Sequence, residues 1–305
     1  MNVLDRYVSM YSRLVNIKGV NRHVLSPFRI ITRFLARKRI YKYFKKTPIR
    51  ISDKQSDVIV SFTSFPARID QAYLVVNCLL RQTVAPKKII LWLSEDQFEG
   101  HRLPENLTDL QGDIFEIRFV SGDIRSHKKY YYVLDEYPQD TILIVDDDLF
   151  YPTDMLENML AAADLHPDTV ICRYGSIAKF NDGNILPYKE WWNEISKTCD
   201  DPNFFFGSGG GTMLRKNLLH KDVLNIESAL KLTPLADDVW LNAMVNLAGT
   251  PKHKVKAGLL LQTQADQTHR LTNENVGNDA NTAQIAAICE YYQQFDMNPF
   301  PERVK

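Results

Sequence analysis

The chain has 305 residues, 45% of them hydrophobic and 24% charged, and its formal net charge is zero. This is a normal globular balance with length for a sizeable core, and it predicts one large α/β domain with an appendage. The zero hides an asymmetry, because residues 1–56 hold 14 of the 37 basic side chains but only 2 of the 37 acidic ones. Residues 1–56 therefore carry +12 and residues 57–305 carry −12, which predicts a basic arm on an acidic body.

The cysteines predict neither structural zinc nor a disulfide framework. Cys78, Cys172, Cys199 and Cys289 are widely spaced, with no CxxC pair and no Cys/His cluster. Free thiols suit a reducing cytosol, so a cytoplasmic location is expected. The N-terminus lacks the uninterrupted apolar core of a signal peptide, and no window holds 18 uncharged apolar residues, so no transmembrane helix is expected.

The basic arm is predicted to form two amphipathic helices within residues 1–50. Apolar residues recur at helical spacing over residues 3–15 and 28–44, and eight Lys or Arg interleave the second stretch and its end. Aromatics with a basic polar face suit an anionic membrane, so we expect a protein peripheral on the inner membrane face. Packing on the body or on another subunit is the second alternative. Nucleic acid is disfavoured as a partner, because the arm is too apolar for a simple phosphate-binding tail.

The body alternates predicted strands and helices. Strands are predicted at residues 57–63, 88–93, 115–120, 142–145 and 169–173, and helices at 70–82, 128–137, 154–165, 237–248 and 281–295. This alternation predicts βαβ units and a mostly parallel sheet flanked by helices. Functional sites of such sheets lie at the carboxyl ends of the strands, where the loop 63–68 and the acids 146–148 are expected.

An acidic run follows the predicted strand 142–145. Asp146, Asp147 and Asp148 are consecutive, and their mutual repulsion calls for a counter-charge, for which a divalent cation with oxygen ligands is suited. In extended geometry Asp146 and Asp148 would project to one side and Asp147 to the other. The competing interpretation is a solvated acidic turn after a core strand.

A glycine-rich stretch, Phe205 to Thr212, is the second unusual feature. Its three successive glycines, Gly209, Gly210 and Gly211, permit positive φ and let a ligand approach the main chain. The stretch is not a P-loop, because no Gly-Lys-Ser/Thr follows it. The alternative is a flexible turn, although apolar residues flank it on both sides.

Asp237 and Asp238 open the predicted helix 237–248. Acids at a helix N-terminus are favoured by the helix dipole and by capping, so a purely structural role is one interpretation. A carboxylate beside a glycine-rich loop is equally a candidate general base. The neighbouring Trp240 is a candidate apolar face for a sugar ring.

Residues 122–130 place an acid and several cations just before a predicted helix. Lys128 and Lys129 are candidates for phosphate neutralisation, and Asp123 is a candidate acceptor for a ribose or base. A surface charge cluster is the alternative.

Together and in this order, these motifs resemble the GT-A class of nucleotide-sugar glycosyltransferases, in which a DxD motif ends a central strand. The spacing is most similar to the inverting β-1,3-galactosyltransferase and Fringe-like group. The matching elements are Asp123, Lys128 or Lys129, Asp146-Asp147-Asp148, Gly209-Gly210-Gly211 and Asp237-Asp238-Val239.

The resemblance covers about residues 57 to 270 and departs from that group in places. Asp237-Asp238 stands where the group has Glu-Asp, and the usual secretory membrane anchor is lacking. The stretch Ser61 to Arg68 instead resembles bacterial polysaccharide-synthesis transferases. These departures favour synthesis of a cell-surface polysaccharide in a bacterial setting.

The resemblance implies a Mn²⁺- or Mg²⁺-dependent transferase that moves a sugar from a nucleoside diphosphate sugar, UDP-sugar above all, to a hydroxyl of a glycan or lipid-linked glycan. It implies Asp146, Asp148 and His269 at the metal and Asp238 as the base, with Asp237 as the alternate. It places Thr63, Arg68, Asp123, Lys128, Lys129, Asp146, Gly209, Gly210 and Gly211 at the nucleotide sugar and Trp240 at the acceptor.

Two alternatives to an inverting transferase stay open. One is a retaining glycosyltransferase or a nucleotidyltransferase on the same sheet, with Asp237 and Asp238 only capping a helix. The other is a non-catalytic, membrane-associated glycan-binding scaffold with a degenerate site.

Overall fold

The structure is a computed structural model and describes residues 2–15, 22–193, 197–258, 260–263 and 279–303. The helices are α1 (Val3–Val15), α2 (Arg22–Lys46), α3 (Ile69–Leu79), α4 (Glu105–Thr108), α5 (Lys128–Glu136), α6 (Met155–Leu165), α7 (Ile226–Leu232), α8 (Asp237–Leu247) and α9 (Ala280–Gln293). The strands are β1 (Ile59–Thr63), β2 (Lys88–Ser94), β3 (Phe115–Val120), β4 (Ile142–Ile144), β5 (Leu149–Phe150), β6 (Val170–Cys172), β7 (Gly175–Ile177), β8 (Phe180–Asn181), β9 (Asn184–Ile185), β10 (Trp192–Asn193), β11 (Phe204–Phe206), β12 (Thr212–Leu214), β13 (Lys252–Lys254) and β14 (Leu261–Gln262).

Within the described residues, seven strands form the central sheet in the order β13-β6-β12-β4-β1-β2-β3. Neighbouring strands run parallel except for β12, which is antiparallel to both β4 and β6. The prediction of a mostly parallel α/β sheet flanked by helices is therefore confirmed. Each helix and strand predicted for the body overlaps an observed one, with ends shifted by a few residues.

Successive residues of the central strands pack into two cores, one on each face of the sheet. Val60 and Phe62 of β1 pack into the core shared with α1, α2, α3 and α6. Ile59 of the same strand packs into the core shared with α5, α7, α8 and α9. Burial on both faces explains why these strands read as continuous apolar runs in the sequence.

Residues 142–150 do not follow the extended geometry expected of the acidic run. β4 ends at Ile144, and Asp147 and Asp148 lie in the turn that leads into β5. The prediction that strand alternation orients the three acids is thus wrong. β5 pairs with β14, and the Thr263 amide donates to the Asp148 carbonyl oxygen at 2.8 Å, which fixes the end of the turn.

The glycine-rich stretch follows a small sheet that the sequence patterns did not predict. β7, β10 and β11 form this sheet in the order β10-β7-β11, and β8 and β9 form a hairpin. β11 ends at Phe206, so the small sheet leads directly into the glycines at the carboxyl edge of the central sheet.

The basic arm packs on the body through one face. Leu4, Val8, Ile40 and Phe44 are buried in the same core as the central strands. Packing on the body, one of the alternatives for this segment, therefore describes the inner face of α1 and α2. Among the described residues, no helix combines the length and apolar character needed to cross a bilayer. The division at residue 56 between arm and body stays a prediction.

Candidate active site

A cavity of about 850 Å³ opens at the carboxyl edge of the central sheet. Its walls come from the loop after β1, the start of α5, the acidic turn after β4, the glycine-rich stretch and the start of α8. The predicted site residues that line it are Thr63, Arg68, Asp123, Lys128, Lys129, Asp146, Asp148, Gly209, Gly210, Asp237 and Asp238. The fold thus brings together residues that lie up to 175 positions apart in the chain, from Thr63 to Asp238.

Asp147 is the buried acid of its run. The Ser64 hydroxyl donates to Asp147 Oδ2 at 2.6 Å, and Arg68 Nη1 donates to Asp147 Oδ1 at 2.9 Å. Arg68 Nη1 also lies 3.3 Å from Asp148 Oδ2. One guanidinium therefore neutralises two neighbouring carboxylates, and Asp147 serves to hold it.

Lys129 joins the acidic turn to the start of α8. Its Nζ donates to Asp146 Oδ1 at 2.8 Å and lies 3.1 Å from Asp237 Oδ2. Burial alone would lower the pKa of Lys129, but the two carboxylates outweigh burial and raise that pKa above its ordinary value. The ammonium group therefore stays charged and offsets two acids at once.

Asp237 and Asp238 have different surroundings although they are adjacent. Asp237 is buried, and its Oδ2 accepts from the Ser208 hydroxyl at 2.6 Å as well as facing Lys129. Asp238 is half-buried at the cavity wall, where its Oδ1 accepts from the Val239 amide at 3.0 Å. Burial, and then the charge of Asp237, raises the pKa of Asp238 to about 7. A carboxyl with that pKa is suited to general base chemistry near neutral pH.

The glycine-rich stretch lies directly against the acidic turn. The Gly209 carbonyl oxygen accepts from the Asp146 amide at 3.1 Å and from the Tyr151 hydroxyl at 2.5 Å. A Cβ atom at position 209 would overlap the Asp146 carboxylate, so only glycine fits there. Gly210 lies similarly close to Tyr174. These glycines thus permit close packing of the cavity walls around Asp146.

Asp123 and Lys128 form an ion pair at the opposite end of the cavity. Asp123 also accepts from Gln97 Nε2 at 2.8 Å and from the Arg125 amide at 2.9 Å. Burial would raise the pKa of Asp123, but the interactions with Lys128 and Arg125 outweigh it and lower that pKa. Thr63 lines the same end, although its hydroxyl donates to the Trp92 carbonyl oxygen at 2.8 Å.

Two predicted site residues lie away from the cavity. Trp240 is fully buried in the core, and its indole N–H donates to the Val223 carbonyl oxygen at 3.1 Å, so the predicted contact with an acceptor sugar is wrong. The alternation of faces around α8 turns Trp240 inward while Asp238 faces the cavity. Gly211 lies behind the cavity against Arg173 with φ +107°, so its role is in the backbone turn. His269 lies outside the described residues.

Several cavity residues were missed by the sequence analysis. They are Ser64, Phe65, Gln97, Arg125, Ser126, Leu149, Arg173, Tyr174, Tyr188, Gly207, Ser208, Leu235, Gly258, Leu260, Gln262 and Asn281. Ser64 follows β1, so the rule that sites lie at strand ends could have found it. Tyr174 and Tyr188 flank short strands without a periodic pattern and carried no such signal. Burial, and then the nearby Asp238 carboxylate, raises the pKa of both tyrosines.

The cavity carboxylates suit a divalent cation. Asp146 and Asp148 both line the cavity, and carboxylate oxygens are the ligands that Mg²⁺ and Mn²⁺ prefer. Within the same cavity Arg68 and Lys129 already contact these carboxylates, so the acids are held in place. The chemistry of the donors therefore fits the predicted metal.

A second group with metal-ligating atoms lies outside the cavity. His166, Asp200 and His253 have ligand atoms within 4.8 Å of one another. The two imidazoles stack with centroids 3.9 Å apart and planes at 20°, and His253 Nδ1 hydrogen-bonds Asp200 Oδ1 at 2.5 Å. Lone pairs lie in the imidazole plane, so stacked rings direct them along nearly parallel lines. The trio would need a ring to turn before it could hold one ion.

Comparison with known proteins gives one family match. The model for "Glycosyl transferase family 2" matches residues 76–222, which include Lys129, the acidic turn and the glycine-rich stretch. No curated protein matches the chain.

Solved structures give likenesses of low identity. A mannosyltransferase from Pyrobaculum calidifontis, in complex with GDP-Man and Mn²⁺, has 9% identity and a TM-score of 0.46, covering 95% of this chain and 75% of that chain. S. aureus TarS, residues 1–349, has 16% identity and a TM-score of 0.41, covering 68% and 59%. A Francisella tularensis 2-C-methyl-D-erythritol 4-phosphate cytidylyltransferase has 10% identity and a TM-score of 0.42, covering 74% and 99%. With TM-scores below 0.5, these likenesses say nothing about this chain's substrate.

The family match falls on the segment that supplies three walls of the cavity, the start of α5, the acidic turn and the glycine-rich stretch. The sheet around it has the mostly parallel order expected of the GT-A class. The narrower resemblance to the Fringe-like group stays a prediction. The chain thus has a mostly parallel α/β fold of the GT-A type, its residues 76–222 are similar to glycosyl transferase family 2, and it is a glycosyltransferase.

Proposed function

We propose that the enzyme transfers a sugar from a nucleoside diphosphate sugar, with UDP-sugar as the first choice, to a hydroxyl of a glycan or lipid-linked glycan. The observation that carries this proposal is that the acidic turn and Asp238 line one cavity, and that Lys129 ties Asp146 of that turn to Asp237 at the start of α8. A wall suited to hold a cation and a candidate base in one cavity support the proposal of a reacting centre between them.

Asp238 is the proposed general base. Asp237 is already bound by Ser208 and Lys129, whereas Asp238 faces the cavity with a pKa of about 7. Its carboxylate takes the proton of the acceptor hydroxyl while the hydroxyl oxygen bonds to the anomeric carbon. The bond from that carbon to the diphosphate oxygen breaks, and its electron pair leaves with the diphosphate. Attack opposite the leaving group inverts the anomeric centre.

Asp146 and Asp148 are the proposed residues that hold Mn²⁺ or Mg²⁺, which supplies charge neutralisation to the leaving diphosphate. Arg68 and Lys129 position these two carboxylates through their ion pairs. The Arg68 and Lys129 side chains also add positive charge to a wall of carboxylates that would otherwise repel a diphosphate. His269 remains a proposed third ligand from outside the described residues.

The end of the cavity near Asp123 is the proposed nucleotide site. Asp123, Gln97 and Arg125 offer hydrogen-bonding groups there, and Lys128 holds Asp123 in place. Gly209 and Gly210 are the proposed floor beneath the donor sugar, because the absent Cβ atoms let this backbone pack directly against Asp146 and Tyr174. A cell-surface polysaccharide as product rests on the resemblance of Ser61 to Arg68 to polysaccharide-synthesis transferases.

A thermal-shift screen of UDP, GDP and CDP with and without Mn²⁺ tests this proposal, because a ligand that binds the native state raises its melting temperature. We expect Mn²⁺-dependent stabilisation by UDP, lost in Asp148→Asn and kept in Asp238→Asn. Asp164→Asn, at an exposed position on α6, is the matched control. Absence of stabilisation by every nucleoside diphosphate would contradict the proposal.

Turnover of UDP-sugars then tests the reaction itself. NMR of the product's anomeric configuration distinguishes inversion from retention, and Asp238→Asn should lose transfer while still binding UDP. A retained configuration would exclude Asp238 as the base of a single displacement.

A further inference from the structure

The arm helix α2 has two faces with opposite surroundings. Its inner face packs on the body through Ala36, Ile40 and Phe44, all of them buried. Arg33 on the same side donates to the Tyr11 hydroxyl at 2.6 Å, which ties α2 to α1. The opposite side of α2 therefore has a fixed orientation relative to the body.

The opposite side carries a stripe that changes character halfway along the helix. Residues three and four apart lie on one face of a helix, and the stripe consists of Phe28, Ile31, Leu35, Lys38, Lys42 and Lys45, all exposed. Its first half is apolar and its second half is basic. We call these six residues the outer stripe.

The apolar half of the outer stripe is an unusual surface for a folded domain. Phe28, Ile31 and Leu35 are 47% to 61% exposed, and the neighbouring Ile30 and Phe34 are 63% and 54% exposed. Elsewhere in the described residues, large exposed apolar side chains such as Leu165 and Phe295 stand singly. A cluster of this kind rimmed by charge marks an interaction surface.

We propose that the outer stripe of α2 docks on an anionic phospholipid surface. The apolar half inserts among the acyl chains near the headgroups, and the lysines meet the lipid phosphates. α1 extends the same chemistry, because Val3, Arg6, Met10 and Arg13 are exposed at helical spacing. In a cell this surface is the cytoplasmic face of the membrane.

Charge argues against a second copy of the chain as the occupant. Residues 1–56 carry 14 basic and 2 acidic side chains, so two parallel arms would bring like charges together. Of the two acids, Asp5 is already engaged by the Thr153 amide at 2.8 Å. An anionic surface offers the complementary charge that a second arm lacks.

The arm also borders the candidate active site. Arg37 Nε donates to the Gln262 carbonyl oxygen at 2.8 Å, and the Tyr41 hydroxyl donates to the Thr263 carbonyl oxygen at 2.6 Å. Gln262 and Gly258 line the cavity, and Gly258 packs against Ser12 of α1. Docking therefore brings this wall of the cavity close to the lipid. This step rests on the proposed function and favours a lipid-linked acceptor.

Co-sedimentation of the full chain with vesicles tests the docking without donor, metal or acceptor, so its outcome is independent of the proposed function. We compare phosphatidylcholine vesicles with vesicles that also contain phosphatidylglycerol. The wild type should bind only the anionic vesicles, and the double variant Ile31→Asp/Leu35→Asp should bind them about tenfold more weakly or worse. Leu165→Asp, at an apolar position that is 78% exposed on α6, is the matched control.

A charge-reversal pair separates electrostatic attraction from apolar insertion. Lys38→Glu/Lys42→Glu should weaken binding to anionic vesicles, whereas Lys221→Glu/Lys231→Glu, exposed on the body, should leave it unchanged. Because all these side chains are exposed, circular dichroism melts should match the wild type. Equal binding by the wild type and Ile31→Asp/Leu35→Asp would overturn the proposal. So would a concentration-dependent dimer, seen by analytical ultracentrifugation, that these two substitutions abolish.

Discussion

The two acidic segments that face the cavity differ in how their carboxylates are neutralised. In the turn after β4, Lys129 contacts Asp146 and Arg68 contacts both Asp147 and Asp148. At the start of α8, Lys129 and Ser208 contact Asp237, while Asp238 accepts from a backbone amide. Side-chain cations thus contact each acid of the first segment, whereas in the second segment Asp238 faces the cavity with a pKa of about 7.

All of these residues are aspartates, so the positions of the neighbouring cations, rather than the residue type, distinguish their proposed roles as metal-holding acids and as the base. Each segment has one buried acid, Asp147 or Asp237, that is held by a hydroxyl and a cation, beside a less buried acid that lines the same cavity. A carboxyl with a raised pKa, such as Asp238, close to acids that are held by cations is typical of sites that divide proton transfer from charge stabilisation.

Replacing Asp238 should have the largest effect on activity, because it removes the acid that distinguishes the second segment from the first. Asp238→Asn removes the proposed base without changing its size, so kcat should fall by about 10²- to 10⁴-fold. Binding of UDP with Mn²⁺ should be unchanged, because the acidic turn is intact. Steady-state kinetics and calorimetry measure the two effects, with Asp164→Asn as the control. Full activity in Asp238→Asn would remove the base assignment.

Replacing Lys129 should break the link between the two segments. Lys129→Met leaves Asp146 and Asp237 facing each other without their shared cation, and loss of one partner from a buried ion pair costs about 3–5 kcal/mol. Urea denaturation measures this free energy of unfolding. Lys87→Met, which removes an exposed ion pair with Asp140, should cost much less, because water screens a surface pair. Equal losses in the two variants would contradict the structural role of Lys129.

Replacing Gly209 should test the role of Asp146 separately from that of the other acids. Gly209→Ala places a Cβ where the Asp146 carboxylate lies, so Asp146 must move. We expect Mn²⁺ affinity in the presence of UDP to fall by about tenfold, as for disturbed metal ligation elsewhere. Gly112→Ala, where nothing lies within 4 Å of the new Cβ, is the control for metal titrations. Unchanged affinity in Gly209→Ala would mean that Asp146 is not a ligand.

A separate effect is expected on the dependence of stability on pH. A carboxyl whose pKa is higher in the folded protein than in the unfolded chain stays protonated in the folded protein after it has ionised in the unfolded chain. Its contribution to the free energy of unfolding therefore falls as the pH rises from about 4 to the folded pKa. For Asp238 the folded value is about 7. Relative to the wild type, Asp238→Asn should therefore gain stability from pH 4 to pH 7 in urea titrations. A difference in the free energy of unfolding that stays constant over this pH range would show that the pKa of Asp238 is not raised.

Much of the fold follows from local sequence patterns. Apolar runs such as Ile142 to Val145 predict buried strands wherever both faces of a sheet are covered, and the structure covers both. The carboxyl-edge rule then places the acids near the loop after β1. This reasoning identified most of the predicted cavity residues, because they lie near the end of a strand or the start of a helix.

The remaining features depend on contacts that no local pattern records. Asp147 is held by Ser64 and Arg68, which lie 83 and 79 residues away in the chain. Trp240 faces the core because α8 turns its other side to the cavity. Tyr174 and Tyr188 reach the cavity through short strands that carry no periodic signal. Long-range packing, rather than propensity, decides all of these positions.

The dependence of kcat/KM on pH tests the central claim most directly, because this ratio reports the protonation of the free enzyme. If Asp238 is the base with a pKa of about 7, kcat/KM should rise about tenfold per pH unit below that value and level off above it. The residual activity of Asp238→Asn should lack this rise. A wild-type profile that is flat from pH 5 to pH 8 would contradict the assignment.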